Sequence, residues 1–414
     1  MATLNLATLQ KISTQILARD VPKYKRYLYH EMDFNARLLG IKGARGAGKS
    51  TILLQYAKSL NLSITQILYV SCDHPAMVGV SLYDLAEAFY ARGGRLLLVD
   101  EIHKADNFSQ ELKAIYDVFD LQLLFSGSSA LQIEHASADL SRRAVVHRLG
   151  MLSFREFCEL ELGQSLPCFS LENILSSHEE IAAQLFPHFR PLEQFDKYLR
   201  YGCYPIYQES LADYPLKLLE VVNLTIDSDL SRIYRIDPSK LDKLKKILYM
   251  LCSTHPYELN VSKLSAATSV SWPTLQKYLQ QMDAGSLIHV VRGGVGMRAV
   301  NKPDKLLLDN PNLFQVLCSG SNLGSMRESF FVSQLGLKHQ VHYHDRGDFV
   351  VDDEWAFEVG GASKNSAQLQ GGSGFVAADD IEVGFEKKSP CGCLVFCINH
   401  ELIWRFSFGF SAPY

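Results

Sequence analysis

The stretch Gly43-Ala44-Arg45-Gly46-Ala47-Gly48-Lys49-Ser50 decides the fold of this chain. It matches the spacing G-x-x-x-x-G-K-[ST], in which glycines let successive backbone N–H groups curl around phosphate oxygens. The apolar run 38–41 before it reads as a strand, and residues 49–60 after it read as a helix with one apolar face. A strand, a glycine-rich turn and a helix N-terminus in this order predict a nucleotide-binding loop.

The side chains of this loop suit a nucleoside triphosphate with Mg²⁺. Lys49 can reach the β- and γ-phosphates, and the Ser50 hydroxyl can hold the metal ion. We therefore predict ATP and Mg²⁺ as the ligands. The predicted ATP-binding residues are Gly43, Ala44, Arg45, Gly46, Ala47, Gly48, Lys49, Ser50 and Thr51.

A second apolar run, Leu96-Leu97-Leu98-Val99-Asp100-Glu101, ends in two carboxylates. A buried parallel strand reads as a continuous apolar run, and in phosphate-loop ATPases an acid at such a strand end holds the metal shell. We predict that Asp100 holds Mg²⁺ together with Ser50, and that Glu101 activates the attacking water. The alternative, a capped strand end with two solvated acids, is disfavoured by the phosphate loop upstream.

The composition limits the class of protein. The chain has 414 residues, 47% of them hydrophobic, and a net charge of −4, so any nucleic-acid binding must use a local basic patch. No apolar run approaches the ~18 residues of a membrane-spanning helix, and no signal peptide is visible. The nine cysteines lack zinc-site spacing, and their odd number argues against a disulfide scaffold. We expect a reduced, cytoplasmic setting and no membrane partner.

Strand candidates alternate with helical stretches over the first 150 residues, which predicts parallel crossovers and a three-layer α/β sandwich. The strand candidates are Arg37–Ile41, Gln66–Ser71, Arg95–Asp100, Leu121–Ser126 and Ala144–Leu149. The predicted domains are an N-terminal helical segment (1–36), an ATPase core (37–150), a helical lid (151–236), a winged-helix unit (237–300) and a terminal domain (301–414).

The winged-helix unit is predicted from three helical stretches and one strand. The helices are Lys240–Leu251, Val261–Ala267 and a third that Ser271 begins, and the strand is Leu287–Val291. Two uses stay open for this unit, contact with DNA or a structural role against the lid. The candidate DNA contacts are Gln276, Lys277, Gln280 and Gln281, with Lys240, Lys243, Lys245 and Lys246 on phosphates.

Taken together, these motifs resemble a bacterial and archaeal family of AAA-type ATPases that carry a C-terminal domain with a PD-(D/E)XK-nuclease-like fold. The resemblance runs from about Arg26 to Glu386. It implies a P-loop three-layer sandwich with a helical lid, a winged helix and an α+β nuclease-like terminal domain. The matching stretches are 41–49, 100–103, 126–129, 139–143, 152–157, 198–202 and 357–361.

The resemblance also implies further roles around the nucleotide. The polar end of the fourth strand, Ser126 to Ser128, would contact the γ-phosphate or the attacking water, with Ser128 preferred. Arg142 or Arg143 would be an arginine finger given to a neighbour's ATP, which implies a homo-oligomer or a partner protein. The alternative for both arginines is an ordinary surface salt bridge.

A second candidate metal site lies in the terminal domain, where nucleases of this fold place acids on two adjacent strands around a divalent metal. With a three-residue loop at Asp352–Glu354, Asp348 lies directly opposite Glu358, and their side chains share one face. Glu328 on the preceding helix is a third possible carboxylate. Converging carboxylates of this kind suit Mg²⁺.

The lysine that such nucleases carry two residues after the second acid is absent, because Gly360 stands there. Lys364 can approach from a following helix, with Gln368 one turn on. A metal-free scaffold is favoured over an active nuclease. The pair His342 and His344 is expected to face solvent or core rather than a metal.

The segment Ser389–Phe396 departs from the family pattern. Relatives end Ile-Pro-Leu-Trp-Leu-Phe-Gly-Phe, and codons for that ending, read one base later, give Ser-Pro-Cys-Gly-Cys-Leu-Val followed by Phe or Leu. We hypothesise that a single-base frameshift produced residues 389–414, which resequencing of the gene would decide. The cysteines there would then be accidental, and loss of the last native strand would leave an unpaired sheet edge.

Two functions follow as alternatives. In the first, the chain binds and hydrolyses Mg-ATP and couples the cycle to nucleic-acid handling. In the second, it is an ATP-dependent regulatory switch whose nuclease-like domain is catalytically inactive and serves as a platform for protein partners. ATP turnover that DNA stimulates favours the first, and ATP-dependent assembly indifferent to DNA favours the second.

Overall fold

The computed structural model describes residues 4–127, 140, 142–185, 187, 190–253, 261–293, 305–320, 322–344, 346–364 and 374–394. Ser128, Gln368 and residues 395–414, which carried sequence-based expectations, lie outside the described residues. In the described part of the chain no helix has the length and apolar character needed to cross a membrane.

A parallel sheet of five strands, in the order β2-β3-β4-β1-β5, forms the centre of the N-terminal part. All five predicted strands are confirmed, with bounds that differ from the predicted ones by at most two residues. The strands are β1 Leu38–Gly43, β2 Ile67–Ser71, β3 Leu96–Asp100, β4 Gln122–Gly127 and β5 Val145–Leu149.

Both faces of this sheet are covered, which is why its central strands read as continuous apolar runs. Successive residues of β3 alternate between two core clusters, with Leu96 and Leu98 in one and Leu97 and Val99 in the other. The helices of this part are α1 Leu6–Leu17, α2 Tyr27–Glu31, α3 Lys49–Ser59, α4 Leu82–Tyr90 and α5 Phe108–Val118. Short 3₁₀ turns are Ile64–Gln66, Pro75–Met77 and Ile102–Lys104.

Between Phe154 and Tyr234 the described residues are mainly helical, as the sequence predicts. Two π-helical segments, Tyr198–Gly202 and Thr225–Leu230, continue the α-helices Pro191–Lys197 and Tyr214–Leu224 without a break. Segments of this type are often found at functional sites. The helices are α6 Phe154–Leu162, α7 Leu171–Leu185, α8 Pro191–Lys197, α9 Tyr214–Leu224 and α10 Ser231–Tyr234, with a 3₁₀ turn at Pro205–Gln208.

A buried ion pair connects this helical region to the part of the chain that contains the parallel sheet. Ser153 and Glu156 form a capping box at the start of α6, and Glu156 also accepts hydrogen bonds from Arg26 at 2.7 and 3.0 Å. The Arg26 guanidinium donates in addition to the carbonyl oxygens of Ala47, at 2.7 Å, and of Met151, at 2.9 Å. One buried cation therefore joins the N-terminal segment, the phosphate loop and α6.

Glu156→Gln is expected to lower the free energy of unfolding by about 3 kcal/mol, because it leaves the buried Arg26 charge without its counter-ion. Chemical denaturation followed by circular dichroism measures the loss. The matched control is Glu172→Gln at an exposed position in the first turn of α7, which should leave the midpoint unchanged. Equal midpoints for the two variants would contradict a stabilising role of the pair.

Three helices and a two-stranded sheet follow the helical region. Strand β6 (Ile288–Val291) pairs antiparallel with β7 (Lys305–Leu308). Three predicted helices and the predicted strand are present, and Ser271 occupies the N-cap position, although its side chain makes no capping hydrogen bond. The helices are α11 Pro238–Ser253, α12 Val261–Thr268 and α13 Trp272–Ala284.

Cys252 and Cys318 form a disulfide between this unit and the C-terminal region, with their Cα atoms 5.1 Å apart. The sequence argument from cysteine number and spacing predicted reduced thiols, and for this pair it is wrong. Cysteines 66 positions apart in the chain meet only through the tertiary fold.

The C-terminal region begins with two helices, α14 Pro311–Leu317 and α15 Leu323–Leu335, and the second carries Glu328. They are followed by a second sheet of five strands in the order β12-β11-β10-β9-β8. These strands are β8 Val341–Tyr343, β9 Phe349–Val351, β10 Trp355–Gly360, β11 Gly374–Ala378 and β12 Lys388–Pro390.

Strand β12 corrects one expectation about the tail. It pairs parallel with β11, so the predicted unpaired edge is wrong for these residues. The cysteines that follow are packed rather than loose, since Cys391 is 1% and Cys393 4% exposed. A Cβ at Gly392 would lie 3.2 Å from Phe154, which shows how closely this segment approaches α6. The frameshift hypothesis itself stays a prediction for resequencing.

Candidate functional site

The phosphate loop leaves β1 at Gly43 and enters α3 at Lys49. Gly46 and Gly48 have φ values of 81° and 97°, a region that glycine adopts without steric cost. Gly43 approaches β5 so closely that a Cβ would lie 2.3 Å from the Leu149 carbonyl oxygen. Glycine is thus required at these positions for backbone reasons, and the turn presents N–H groups at a helix N-terminus.

Lys49 lies across the loop. Its Nζ donates to the carbonyl oxygens of Gly43 at 3.0 Å and Ala44 at 2.8 Å. Burial lowers the pKa of Lys49, while the nearby charges of Glu101 and Asp100 oppose that shift. The ammonium group is therefore held at the loop by short contacts, in the position from which it can meet phosphate oxygens.

Asp100, at the end of β3, is the centre of a hydroxyl cluster. Its Oδ2 accepts from Ser50 Oγ at 2.7 Å and from Tyr69 at 2.7 Å, and its Oδ1 accepts from Ser126 Oγ. Burial and the charge of Asp100 raise the pKa of Tyr69, so its hydroxyl remains a donor. The adjacent Ser50 and Asp100 oxygens are hard donors of the kind that Mg²⁺ prefers, so the residues present fit this ion.

Glu101 follows Asp100 in the left-handed region, with φ 51°. Non-glycine residues in this region are uncommon and concentrate at functional sites. Its Oε2 lies 3.3 Å from Nδ1 of His103, and its backbone N–H donates to Ser126 Oγ at 3.4 Å. The structure thus brings Glu101 next to the predicted metal-binding acid and beside a buried histidine that the sequence had not singled out.

Arg45, in the middle of the phosphate loop, is bound by a residue of the helical region. Its Nη2 lies 3.0 Å from Asp229 Oδ1, and its Nε lies 3.2 Å from Oδ2. A Cβ on Gly46 would lie 3.4 Å from the Tyr204 ring, so the helical region also packs on the loop itself. The predicted lid therefore contacts the phosphate loop through charge and through van der Waals packing.

The two candidate finger arginines differ in their surroundings. Arg143 forms a two-bond pair with Asp117 of its own chain, at 2.8 and 3.0 Å. Arg142 is exposed in the turn three residues before β5. The surface salt bridge weighed as the alternative is thus what the structure shows for Arg143, which leaves Arg142 as the candidate accessible to a neighbouring molecule.

The predicted carboxylates of the C-terminal region do converge, but around lysines. Strands β9 and β10 pair in the register that places Asp348 opposite Glu358, since Phe349 pairs with Phe357. Lys305, which sequence reasoning missed, lies 3.0 Å from both Asp348 and Glu328. In the described part of the chain no group of three or more acids, histidines or cysteines is arranged to hold a metal ion.

Lys364 reaches this cluster from the turn after β10 rather than from the predicted helix. Its Nζ lies 2.5 Å from Glu358 and 3.8 Å from Asp348. A Cβ at Gly360 would lie 2.9 Å from the Lys364 side chain, so the glycine makes room for that lysine. Burial alone would lower the pKa of Lys364, but its bond to Glu358 and the surrounding carboxylates raise it.

Three residues around the candidate sites were not predicted from the sequence. They are His103, Asp229 and Lys305, and all three are charged or titratable and buried, with 4%, 4% and 2% of their surface exposed. Lys305 could have been identified from the sequence, because it is the first residue of the apolar run 305–308. A lysine buried with such a run needs an acidic partner. Asp229 could not have been identified in this way, since its partner Arg45 lies 184 positions away.

Comparison with known protein families gives two matches. Residues 35–158 match the model of the AAA domain, and residues 192–319 match the model of a domain of unknown function. The first match covers the phosphate loop, Asp100, Glu101 and all five strands of the parallel sheet. It supports an AAA-type ATPase domain in this part of the chain.

Among individual proteins, an uncharacterized protein of Methanocaldococcus jannaschii is 27% identical over 285 residues, which are 65% of this chain and 59% of that relative. AMPPCP-bound DnaA from Aquifex aeolicus is 13% identical and aligns over 68% of this chain and 89% of its own, with a TM-score of 0.25. PCH-2 of C. elegans is also 13% identical, over 38% and 45% of the two chains, with a TM-score of 0.24. Both TM-scores are too low to indicate a common fold over the aligned lengths.

Proposed function

We propose that this chain is an AAA-type ATPase that binds Mg-ATP and hydrolyses it to ADP and phosphate. The observation that carries the proposal is that Lys49 and Ser50, which follow β1, meet the pair Asp100–Glu101, which follows β3, at the carboxyl edge of the parallel sheet, where Ser50 donates to Asp100. In open parallel sheets this edge is where ligands bind. The match of residues 35–158 to the AAA domain supports the same conclusion.

Each side chain has a part in the proposed reaction. The loop N–H groups and Lys49 hold the β- and γ-phosphates, and Ser50 and Asp100 would hold Mg²⁺, which when bound supplies positive charge to the phosphate oxygens. Glu101 takes a proton from water as the water oxygen bonds to the γ-phosphorus. The bond from that phosphorus to the bridging oxygen breaks with its electrons on ADP, and the proton passes to the solvent.

Further residues are proposed to act on the γ-phosphate. Ser126 donates to Asp100 at the end of β4, which places the strand predicted to carry the phosphate sensor beside the metal-binding acid. Ser128, two residues further along the chain, is the proposed phosphate sensor. Arg142 is the proposed finger for a neighbouring molecule's ATP, in a homo-oligomer or with a partner protein.

We propose nucleic-acid handling as the use of the ATP cycle, with helix α13 as the contact surface. Lys277 and Gln280 on this helix are exposed, as are Lys240 and Lys246 on α11. The other two candidate lysines of α11 are engaged within the chain, since Lys243 donates to Ser269 and Lys245 pairs with Asp227, and Gln276 and Gln281 are half-buried. The available positive patch is therefore small, which favours weak, salt-sensitive binding.

The regulatory switch remains the second candidate function, and one observation favours it. Two lysines neutralise the carboxylates of the C-terminal region, which suits a structural platform better than a cleaving site. ATP turnover of the full chain, measured with and without duplex DNA at low salt, separates the two functions. Turnover that rises with DNA supports nucleic-acid handling, and turnover indifferent to DNA with ATP-dependent assembly supports the switch.

We expect the full chain to show little or no Mg²⁺-dependent cleavage of DNA. A metal ion would have to displace Lys305 from two buried carboxylates, and Gly360 stands where a lysine would support the developing charge. Cleavage of plasmid DNA, followed on agarose gels, measures this. Robust cleavage that disappears in Asp348→Ala would contradict the prediction and place Lys364 among the catalytic groups.

A further inference from the structure

Asp229 lies outside both nucleotide motifs, yet three basic side chains face it, Arg45 from the phosphate loop and His103 and Lys104 from the turn after β3. It belongs to the π-helical segment Thr225–Leu230 of the helical region. Besides the two bonds from Arg45, Lys104 Nζ and His103 Nε2 each lie 3.8 Å from its Oδ1. Burial by itself would raise the pKa of Asp229, but hydrogen bonds from His103 and Arg45 and their charges hold it well below its usual range.

His103 connects Asp229 to Glu101. Its ring presents Nδ1 to Glu101 Oε2 at 3.3 Å and Nε2 to Asp229 Oδ1 at 3.8 Å, and its side chain is 1% exposed. A buried ring with one carboxylate at each nitrogen cannot turn without losing both contacts. The ring therefore lies between Glu101 and a carboxylate that the helical region supplies.

We propose that Asp229 is a positioning residue for ATP hydrolysis, which acts through His103 to orient the Glu101 carboxylate. This inference rests on the proposed ATPase function and deepens it. Supporting side chains that orient a catalytic group commonly contribute about 10–100-fold to activity in metal sites, and a similar contribution is expected here.

The same contacts make hydrolysis depend on the position of the helical region. The segment after β3 is fastened to that region by Lys104, whose Nζ donates to Ser228 Oγ at 3.0 Å, and by Arg232, which donates to the Lys104 carbonyl at 2.8 Å. A displacement of the helical region would withdraw Asp229 from His103 and from Arg45 together. A ligand or partner that moves this region would thus change the rate of hydrolysis.

The test is Asp229→Asn in the full chain, with ATP turnover measured at saturating ATP and ATP affinity measured with a fluorescent ATP analogue. We expect kcat to fall about 10–100-fold, with a smaller change in KM, because the base loses its orientation. The matched control is Asp227→Asn in the same π-helical segment, where the carboxylate pairs with Lys245 at the surface and turnover should equal that of the wild type.

His103→Gln separates orientation of the base from the Arg45 contact, which that variant leaves in place. If the three residues act as one unit, His103→Gln reproduces the loss in kcat, and the double variant with Asp229→Asn loses no more than the larger single loss. Circular dichroism confirms folding, and if Asp229→Asn fails to fold, His103→Gln carries the test alone.

Two results would overturn the inference while the ATPase function stands. They are wild-type turnover in folded Asp229→Asn or His103→Gln, and losses in the double variant that multiply as for independent sites. A wild-type chain that binds ATP but does not hydrolyse it would overturn the proposed function and this inference with it.

Discussion

Glu101→Gln is expected to lower ATP turnover about 1000-fold while ATP affinity stays at the wild-type value. The amide has nearly the same shape as the carboxylate, but it cannot take the proton from the attacking water. Glu101 lies immediately after Asp100, the proposed metal-binding acid, in a backbone conformation that non-glycine residues rarely adopt. The measurements are steady-state phosphate release and equilibrium binding of an ATP analogue.

The control for this variant is Glu87→Gln, an exposed glutamate on α4 that has no proposed part in the site. Its turnover should match that of the wild type. Normal turnover in Glu101→Gln would remove Glu101 from its assigned role. Weaker binding of the ATP analogue to Glu101→Gln would instead show that the carboxylate contributes to ATP binding as well as to hydrolysis.

Lys49→Ala is expected to weaken ATP binding by about 100-fold or more, and turnover with it. The change removes an ammonium group that lies 3.0 Å or less from two loop carbonyl oxygens and that is proposed to bind the phosphates. Charge-assisted hydrogen bonds of this kind contribute up to about 3 kcal/mol, which corresponds to about two orders of magnitude in Kd. Arg45, the other cation of the loop, is held by Asp229 and does not replace it.

Lys58→Ala supplies the comparison, because Lys58 is an exposed lysine in the last turn of the same helix, α3. Binding of the ATP analogue to that variant should equal wild-type binding. Since Lys49 is buried, thermal unfolding of Lys49→Ala is recorded alongside. A folded Lys49→Ala chain with unchanged affinity would refute the proposed contact with phosphate.

Much of the local structure of the candidate ATP site was predictable, because the strand, the turn and the helix that form it are contiguous in the sequence. A strand, a glycine-rich turn and a helix N-terminus follow one another in residues 38–59, so the loop needs no distant partner to take shape. Asp100 and Glu101 were identified for the same reason, as the end of one apolar strand. In the C-terminal region, loop length alone fixed which residues face each other, and the predicted register of Asp348 and Glu358 agrees with the strand pairing.

The sequence-based predictions were wrong where they depended on contacts between distant parts of the chain, because a short sequence pattern does not specify such contacts. Cysteine spacing could not show that Cys252 meets Cys318. The departure of residues 389–394 from the family pattern suggested a lost strand, yet Lys388–Pro390 pairs with β11, because backbone hydrogen bonds form with almost any side chains. The sequence offered no reason to prefer Arg142 or Arg143 as the finger. The structure distinguishes them, because Arg143 is paired with Asp117.

By itself, the sequence determined the parallel sheet, the phosphate loop and the two acids at the end of β3, since each depends on periodicity or spacing within a few residues. Only the tertiary structure decided what surrounds them. It brought Asp229 to Arg45 across 184 positions and Lys305 to Asp348 across 43. Buried charges must find partners wherever the chain places them, so these pairings are set by the packing of whole elements and not by local sequence.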